Sequence, residues 1–334
     1  MKNKLSAMAA LAAMVLAVGA SGAAEMVGWN RQVVQPNSDV LVSLPFTQDA
    51  AATLTVSGKT ATGVQVAGPL TVDQYKGAYY VRFTTGSAAG QWSTITTNGA
   101  TDLTLEITDF LTDVQVGDHF SVYPHQTLST VFPDSLEGVS YKATTGLKRN
   151  TEILIPSTTG AAVNRSAAAT YYYKNGEWKK VAGSTSDDVV LSPEQYFIIR
   201  NNDATDSLTF VTYGKVEPVI LSRLVPKNAT KNDVGGCTGR PTQVTLAELG
   251  LGGSPAFKTT TGLSRQDELF VFDNDAAGKN KSASATYYYK SGHWKKVGQS
   301  GDYDNETVPA GAALIIRKVG DAGSSVTWTQ YSPY

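Results

Sequence analysis

The stretch TYYYKNGEWKKV (170–181) returns almost unchanged as TYYYKSGHWKKV (286–297), and this duplication limits the folds open to the chain more than any other feature. A constant offset of 116 residues aligns Gly146 with Gly262, Tyr171 with Tyr287 and Trp178 with Trp294. Over 141–181 against 257–297, 22 of 41 positions are identical. Self-similarity at one fixed offset marks an internal repeat. With small gaps the likeness runs from Thr127 and Thr245 at the front to Tyr213 and Tyr331 at the back. Two copies are too few for a solenoid. The sequence therefore predicts two tandem β domains, at 125–213 and 245–334, joined by a connector at 214–244 that is rich in proline and glycine.

Turn chemistry sets the geometry inside each copy. Asn175-Gly176 suits a two-residue hairpin loop, which pairs Tyr173 with Trp178 and Tyr171 with Lys180. Alternation then puts Tyr171, Tyr173 and Trp178 on one largely apolar face and Tyr172, Lys174, Glu177 and Lys179 on the other. The second copy keeps Tyr287, Tyr289 and Trp294 but replaces the expected Lys174–Glu177 ion pair with Lys290 and His293. What packs is retained and what faces water changes, as expected of a phrase written for folding. In each copy a later strand follows a turn, SPEQYFIIR (192–200) and VPAGAALIIR (308–317). A capping box at Thr245 and Glu248 makes 245–251 the best helix candidate.

Ahead of the repeats, 25–124 is rich in Thr, Val, Ser, Gly and Tyr in short alternations broken by turn residues, the pattern of an all-β domain. DVLVSLPF (39–46), ATLTVSG (52–58), YYVRFTTG (79–86), QWSTITTNG (91–99), DLTLEI (102–107) and DHFSVYP (118–124) read as strands of a small barrel or sandwich. Asn98-Gly99 is a strong type I′ hairpin signal.

The first residues carry Lys2 and Lys4, an uncharged apolar stretch at 5–18 and small residues at 20–24, the layout of a secretory signal peptide (1–24). The apolar stretch is shorter than the roughly 20 residues that span a bilayer, so no transmembrane span is expected in the mature chain. Without Lys2 and Lys4, 26 basic and 29 acidic side chains remain. That balance gives no reason to expect nucleic acid as a partner. Cys237 is the only cysteine, which excludes an intramolecular disulfide, and its glycine-rich setting (GGCTG) suggests a loop thiol.

The opening VGWNRQVVQPNSDVLVSLPF, the middle RFTTGSAAGQWSTITTNGATDLTLE and VGDHFSVYPHQTLSTVF, and the paired TYYY, GxWKKV and IIR segments together resemble a family of signal-bearing, β-rich bacterial proteins without an assigned function. The resemblance spans nearly the whole mature chain, through packing and turn motifs. It implies export, an all-β fold and a non-enzymatic role at the cell surface or outside the cell; it transfers no catalytic residue.

No familiar catalytic constellation is present. His119 and His125, six residues apart along one expected strand, make poor geometry for a metal whose ligands must converge. DNDAAGKN (273–280) places Asp273, Asp275 and Gly278 like a calcium loop, but Ser284 stands where the bidentate glutamate belongs, so a solvated hairpin loop is expected. The glycine-rich TTGSAAGQ (84–91) lacks the lysine and helix of a phosphate cradle and reads as a hairpin connection. No metal or other cofactor is expected. The remaining candidate for binding is the aromatic face of the hairpins: Tyr171, Tyr173 and Trp178, with Tyr287, Tyr289 and Trp294, as tandem platforms for surface polysaccharide. Burial of the same rings in a core is the favoured reading, since each unit must bury its largest apolar side chains. The sequence thus predicts an exported structural or binding protein of the periplasm, cell surface or medium, in contact with polysaccharide or other surface proteins. A carbohydrate-binding protein and a secreted glycan-active enzyme are the alternatives.

Overall fold

The computed structural model describes residues 26–133, 141–157, 161–183 and 186–331; the expected signal peptide lies outside them. The fold is all-β. Strands β1 (Val27–Val34) and β2 (Ser38–Ser43) come first. Six follow: β3 (Ala52–Thr60), β4 (Gly63–Val66), β5 (Tyr79–Phe83), β6 (Trp92–Asn98), β7 (Asp102–Leu105) and β8 (His119–Pro124). These six close into a barrel in the order β3-β4-β7-β6-β5-β8. Val56, Val81, Phe83, Ile95, Phe110, Phe120 and Val122 fill it.

The first repeat continues with β9 (Gln126–Thr127), α1 (Leu128–Val131), β10 (Thr151–Pro156), β11 (Ala167–Lys174), β12 (Glu177–Lys180), β13 (Val190–Leu191), β14 (Tyr196–Asn201) and β15 (Leu208–Lys215). Then come β16 (Leu221–Val225), β17 (Asn232–Cys237), β18 (Val244–Thr245), β19 (Glu268–Val271) and β20 (Ala285–Lys290). The chain ends with β21 (His293–Lys296), β22 (Thr307–Val308), β23 (Ala313–Lys318) and β24 (Val326–Gln330). Among the described residues no helix is long and apolar enough to cross a membrane.

Strand pairing draws the boundaries differently from the expected segments. Each unit has a five-stranded sheet, β12-β11-β10-β14-β2 in the first and β21-β20-β19-β23-β17 in the second. Each adds a two-stranded ribbon, β1 with β15 and β16 with β24, and a short pair, β9 with β13 and β18 with β22. Residues 27–43 therefore belong to the first unit, not to the barrel, and 221–237 supply the first strands of the second unit where a connector was expected. The barrel is an insertion between β2 and β9. Its entry and exit are tied together by Gln48, whose Nε2 donates to the His125 carbonyl at 3.3 Å and to Gln126 Oε1 at 3.2 Å.

The glycines that made 214–244 look like a connector serve close packing within a strand. A Cβ on Gly235 would lie 2.3 Å from the Tyr196 ring, and one on Gly236 would lie 2.6 Å from Arg223 Nη1. Cys237, expected in a loop, is buried at the end of β17 opposite Ala313, and burial pushes its thiol pKa up.

The two units face each other through the outer sides of their sheets, with Leu41, Tyr196, Phe272 and Ala313 buried between them. The polar contacts there are duplicated with the roles exchanged. Arg200 holds Asp39 through two bonds of 2.8 Å, and Arg317 holds Asp233 through bonds of 2.7 and 2.8 Å. Each carboxylate also accepts a backbone N–H from the opposite unit, Asn280 on Asp39 and Asn164 on Asp233. Each arginine reaches the side chain of that same asparagine at 2.6 Å. Asn164 and Asn280 share φ near +50°, at 52° and 51°. The residues 273–280, expected as a solvated loop, are thus docked on the first unit, where the Asn274 side chain makes two 2.9 Å bonds to the Leu41 backbone.

Other local expectations meet mixed outcomes. Asn175 and Gly176 take φ of 55° and 82°, and the register pairs Tyr173 with Trp178 as expected. Asn98-Gly99 joins β6 to β7 without positive φ at either residue, because the Asn98 side chain is engaged by the Tyr75 N–H and the Thr71 carbonyl. The Thr245–Glu248 capping bonds form, at 2.7 and 3.2 Å, around a turn only; the short helix α1 occupies the matching place in the first unit.

Candidate functional site

The six aromatic residues proposed as platforms are core and core-edge residues. Trp178 and Trp294 are each 1 % exposed, and Tyr171 and Tyr287 are buried beside them. Trp178 Nε1 donates to the Phe132 carbonyl at 3.3 Å, and the Tyr287 hydroxyl donates to Glu306 at 3.0 Å. Tyr173 and Tyr289 are half-buried, each edge-on to its tryptophan at 5.5 Å. The four buried rings offer no open face to a sugar, which favours the core reading over the tandem platforms. Lys174 stands opposite Glu177 in the register, but its ammonium turns elsewhere. It donates to the Gly146 carbonyl, as Lys290 does to Gly262, while Glu177 meets Lys179 at 2.8 Å.

The histidines stay apart. His119 is exposed and bonded to Thr55 at 2.9 Å; His293 is exposed beside Asp304 at 2.7 Å. His125 is buried against the Tyr80 ring, and neither of its ring nitrogens meets a protein partner. Among the described residues no three metal-ligating side chains converge.

A cavity of about 370 Å³ opens where the barrel meets both units. The barrel contributes Trp92 and Glu106, the first unit the turn at 192–195, and the second unit Arg223 and Gly235. Glu194, in that turn, lines it. Pro193 presets the turn, which the Gln195 N–H closes onto the Ser192 carbonyl at 3.2 Å. Glu194 then sits at φ +62°, a position that favours glycine, and the matching residue of the second unit is Gly311 at +63°.

The Glu194 side chain is only 7 % exposed. Arg82 Nη2 meets one carboxylate oxygen at 3.3 Å and Trp92 Nε1 the other, also at 3.3 Å. Alternation on β5 explains Arg82: Val81 and Phe83 point into the barrel, so Arg82 points out, onto the covered side of the wall. Burial raises the Glu194 pKa, while Arg82 and then Arg223 oppose the rise. Arg223 lies over the Trp328 ring at 5.4 Å and donates Nη2 to the Gly235 carbonyl; its buried Nη1 has no protein partner. Glu106 is exposed at the cavity wall.

The arrangement therefore sets a long-bonded carboxylate, a guanidinium and an indole around one space. Sequence reasoning did not single out Arg82, Trp92, Glu106, Glu194 or Arg223. The one available signal was the mismatch of SPEQ with PAGA, a glutamate in one copy where the other has the glycine the turn prefers. No family model, no curated protein and no solved structure matches the chain.

Proposed function

We propose that this is an exported, non-catalytic binding protein of the cell surface or extracellular space, in which the duplicated units form a rigid frame and the junction cavity receives the ligand. The export part rests on the charged, apolar and small-residue layout of 1–24. Membership of the β-rich exported family that the chain resembles belongs to the same proposal, as does contact with surface polysaccharide or surface proteins. The observation that carries the binding part is Glu194. A strained backbone persists where something over-determines it, and such residues cluster at functional sites. The second unit shows the unstrained alternative, Gly311, in the same turn.

Fractionation of native cells with detection of the processed chain tests export; an unprocessed chain in the cytoplasm would end that part. A thermal-shift screen of small polar compounds tests binding. Stabilisation that is lost in Arg223→Gln supports a cavity ligand, and a screen without any such compound counts against it. A secreted glycan-active enzyme is favoured by one observation, that Glu106 and Glu194 line the same cavity. Release of reducing ends from a glycan, abolished by Glu194→Gln, would replace the non-catalytic reading.

A further inference from the structure

We infer that the junction cavity takes a neutral saccharide of one or two units; this rests on the binding reading above and specifies its ligand class. The charge of the lining argues first. Glu106, Glu194 and Asp233 face Arg165 and Arg223 around the space. Asp233 is already held by Arg317, and Glu194 by Arg82. An anion entering here meets the Glu106 and Glu194 carboxylates, and a cation meets Arg223. Either ion thus meets a like charge on the wall, which a neutral ligand avoids.

Hydrogen bonding argues second. The two Glu194 oxygens each accept one bond of 3.3 Å, which leaves lone pairs unused, since an ionised carboxylate offers about four acceptor sites. The Arg223 guanidinium, which carries donors only, also lines the space. A ligand that fits such a wall must both donate and accept, repeatedly and at short range. A hydroxyl does both, and a sugar carries several on one rigid ring. Third, Trp92, Pro193 and Ile107 supply apolar surface beside these polar groups, the combination on which the C–H face of a sugar rests. The volume of about 370 Å³ corresponds to roughly a dozen water molecules and lies in the range of small-molecule sites.

The duplication provides variants whose backbone the fold already uses. Glu194→Gly installs the residue of the second unit's turn, and Arg223→Gln installs Gln32, which stands opposite Phe210 as Arg223 stands opposite Trp328. The processed chain is titrated calorimetrically with cellobiose, maltose, xylobiose, mannobiose and N,N′-diacetylchitobiose, alongside digalacturonate and inorganic phosphate. At least one neutral disaccharide is expected to bind with Kd below about 1 mM. Glu194→Gly and Arg223→Gln should weaken it about a hundredfold and the exposed Glu106→Gln about tenfold. Should the first two variants unfold, Glu106→Gln decides alone.

Trp29→Ala is the control, because Trp29 and Tyr213 form an exposed aromatic pair on the ribbon of β1 and β15, 49 % and 60 % exposed. Loss of binding in that variant, with the cavity variants unaffected, would overturn the assignment. Binding of digalacturonate or phosphate in place of the neutral sugars would overturn the ligand class and leave the cavity as a binding site. Failure of every probe, with the protein folded, would overturn the class; if a wide polar-compound screen is silent too, the binding reading falls with it. Retention of the protein on insoluble cellulose or chitin, lost in Glu106→Gln, assigns the saccharide to chain ends and not to free sugar.

Discussion

Glu194 and His125 show what single residues give up to sit where they do. A non-glycine residue at φ +62° costs on the order of 1 kcal/mol or more, and the chain keeps it where its own second copy has glycine. His125 lies buried on Tyr80 with an imidazole N–H that no protein acceptor receives. Burial lowers its pKa from 6.5 to about 4. As pH falls, the unfolded chain therefore takes up this proton before the folded one does. The stability contributed by the neutral ring is fully present above pH 6.5, is lost as pH falls towards about 4, and then levels off. About 2 to 3 kcal/mol should disappear over this window through His125 alone. His125→Phe keeps the ring contact and removes the proton. Urea unfolding at a series of pH values should show the wild type losing stability relative to the variant, and parallel curves would refute the assignment.

Among the elements, the repeated hairpin matters most. β11 with β12 and β20 with β21 have the same register, and each carries one tryptophan into the core of its unit. Trp178→Ala and Trp294→Ala should each cost about 3 to 5 kcal/mol, the range for truncating a fully buried large aromatic. Chemical unfolding followed by circular dichroism measures this; losses within about 0.5 kcal/mol would be the behaviour of a surface residue. The register was legible in the sequence because Asn-Gly and Ser-Gly turns act on their own residues and alternation does the rest. The fate of β2 and β17 was not. β2 is buried on both faces, Val40 and Val42 towards its own core and Leu41 towards the second unit, so it lacks the one-sided pattern that reveals a strand's place.

For the whole molecule, the interface between the units behaves as a two-fold contact within one chain. Each residue of the Asp–Arg–Asn network has a counterpart with the same bonds, so Asp39→Asn and Asp233→Asn should destabilise by similar amounts, about 2 to 3 kcal/mol each for a buried carboxylate held by a bidentate arginine. A large inequality in denaturant midpoints would show that the two sites are not equivalent in energy. The barrel is the asymmetric part. Since Gln48 ties its entry to its exit, replacing 50–124 with a short Gly-Ser linker should leave a frame that still unfolds cooperatively, at a lower temperature because Glu194 loses Arg82 and Trp92. Absence of a cooperative transition in calorimetry would show that the barrel is needed for the frame to fold.

By itself the sequence determined the all-β class, the duplication and the hairpin registers, because alternation and turn residues act over a few positions and do not depend on what lies far along the chain. It also favoured a buried role for Trp178 and Trp294, since each unit has few larger apolar groups to bury. The tertiary structure alone decided that 27–43, separated by the barrel in sequence, pairs with 196–215 in a ribbon and a sheet edge, that the Gly235-Gly236 pair packs closely against Tyr196 and Arg223, and that Glu194, Trp92 and Arg223 line one cavity, with Arg82 bonded to Glu194. The physical reason is that a residue pattern states which face of a strand is apolar, while the partner of that face is chosen by the apolar and charged surfaces that three parts of the fold present to one another.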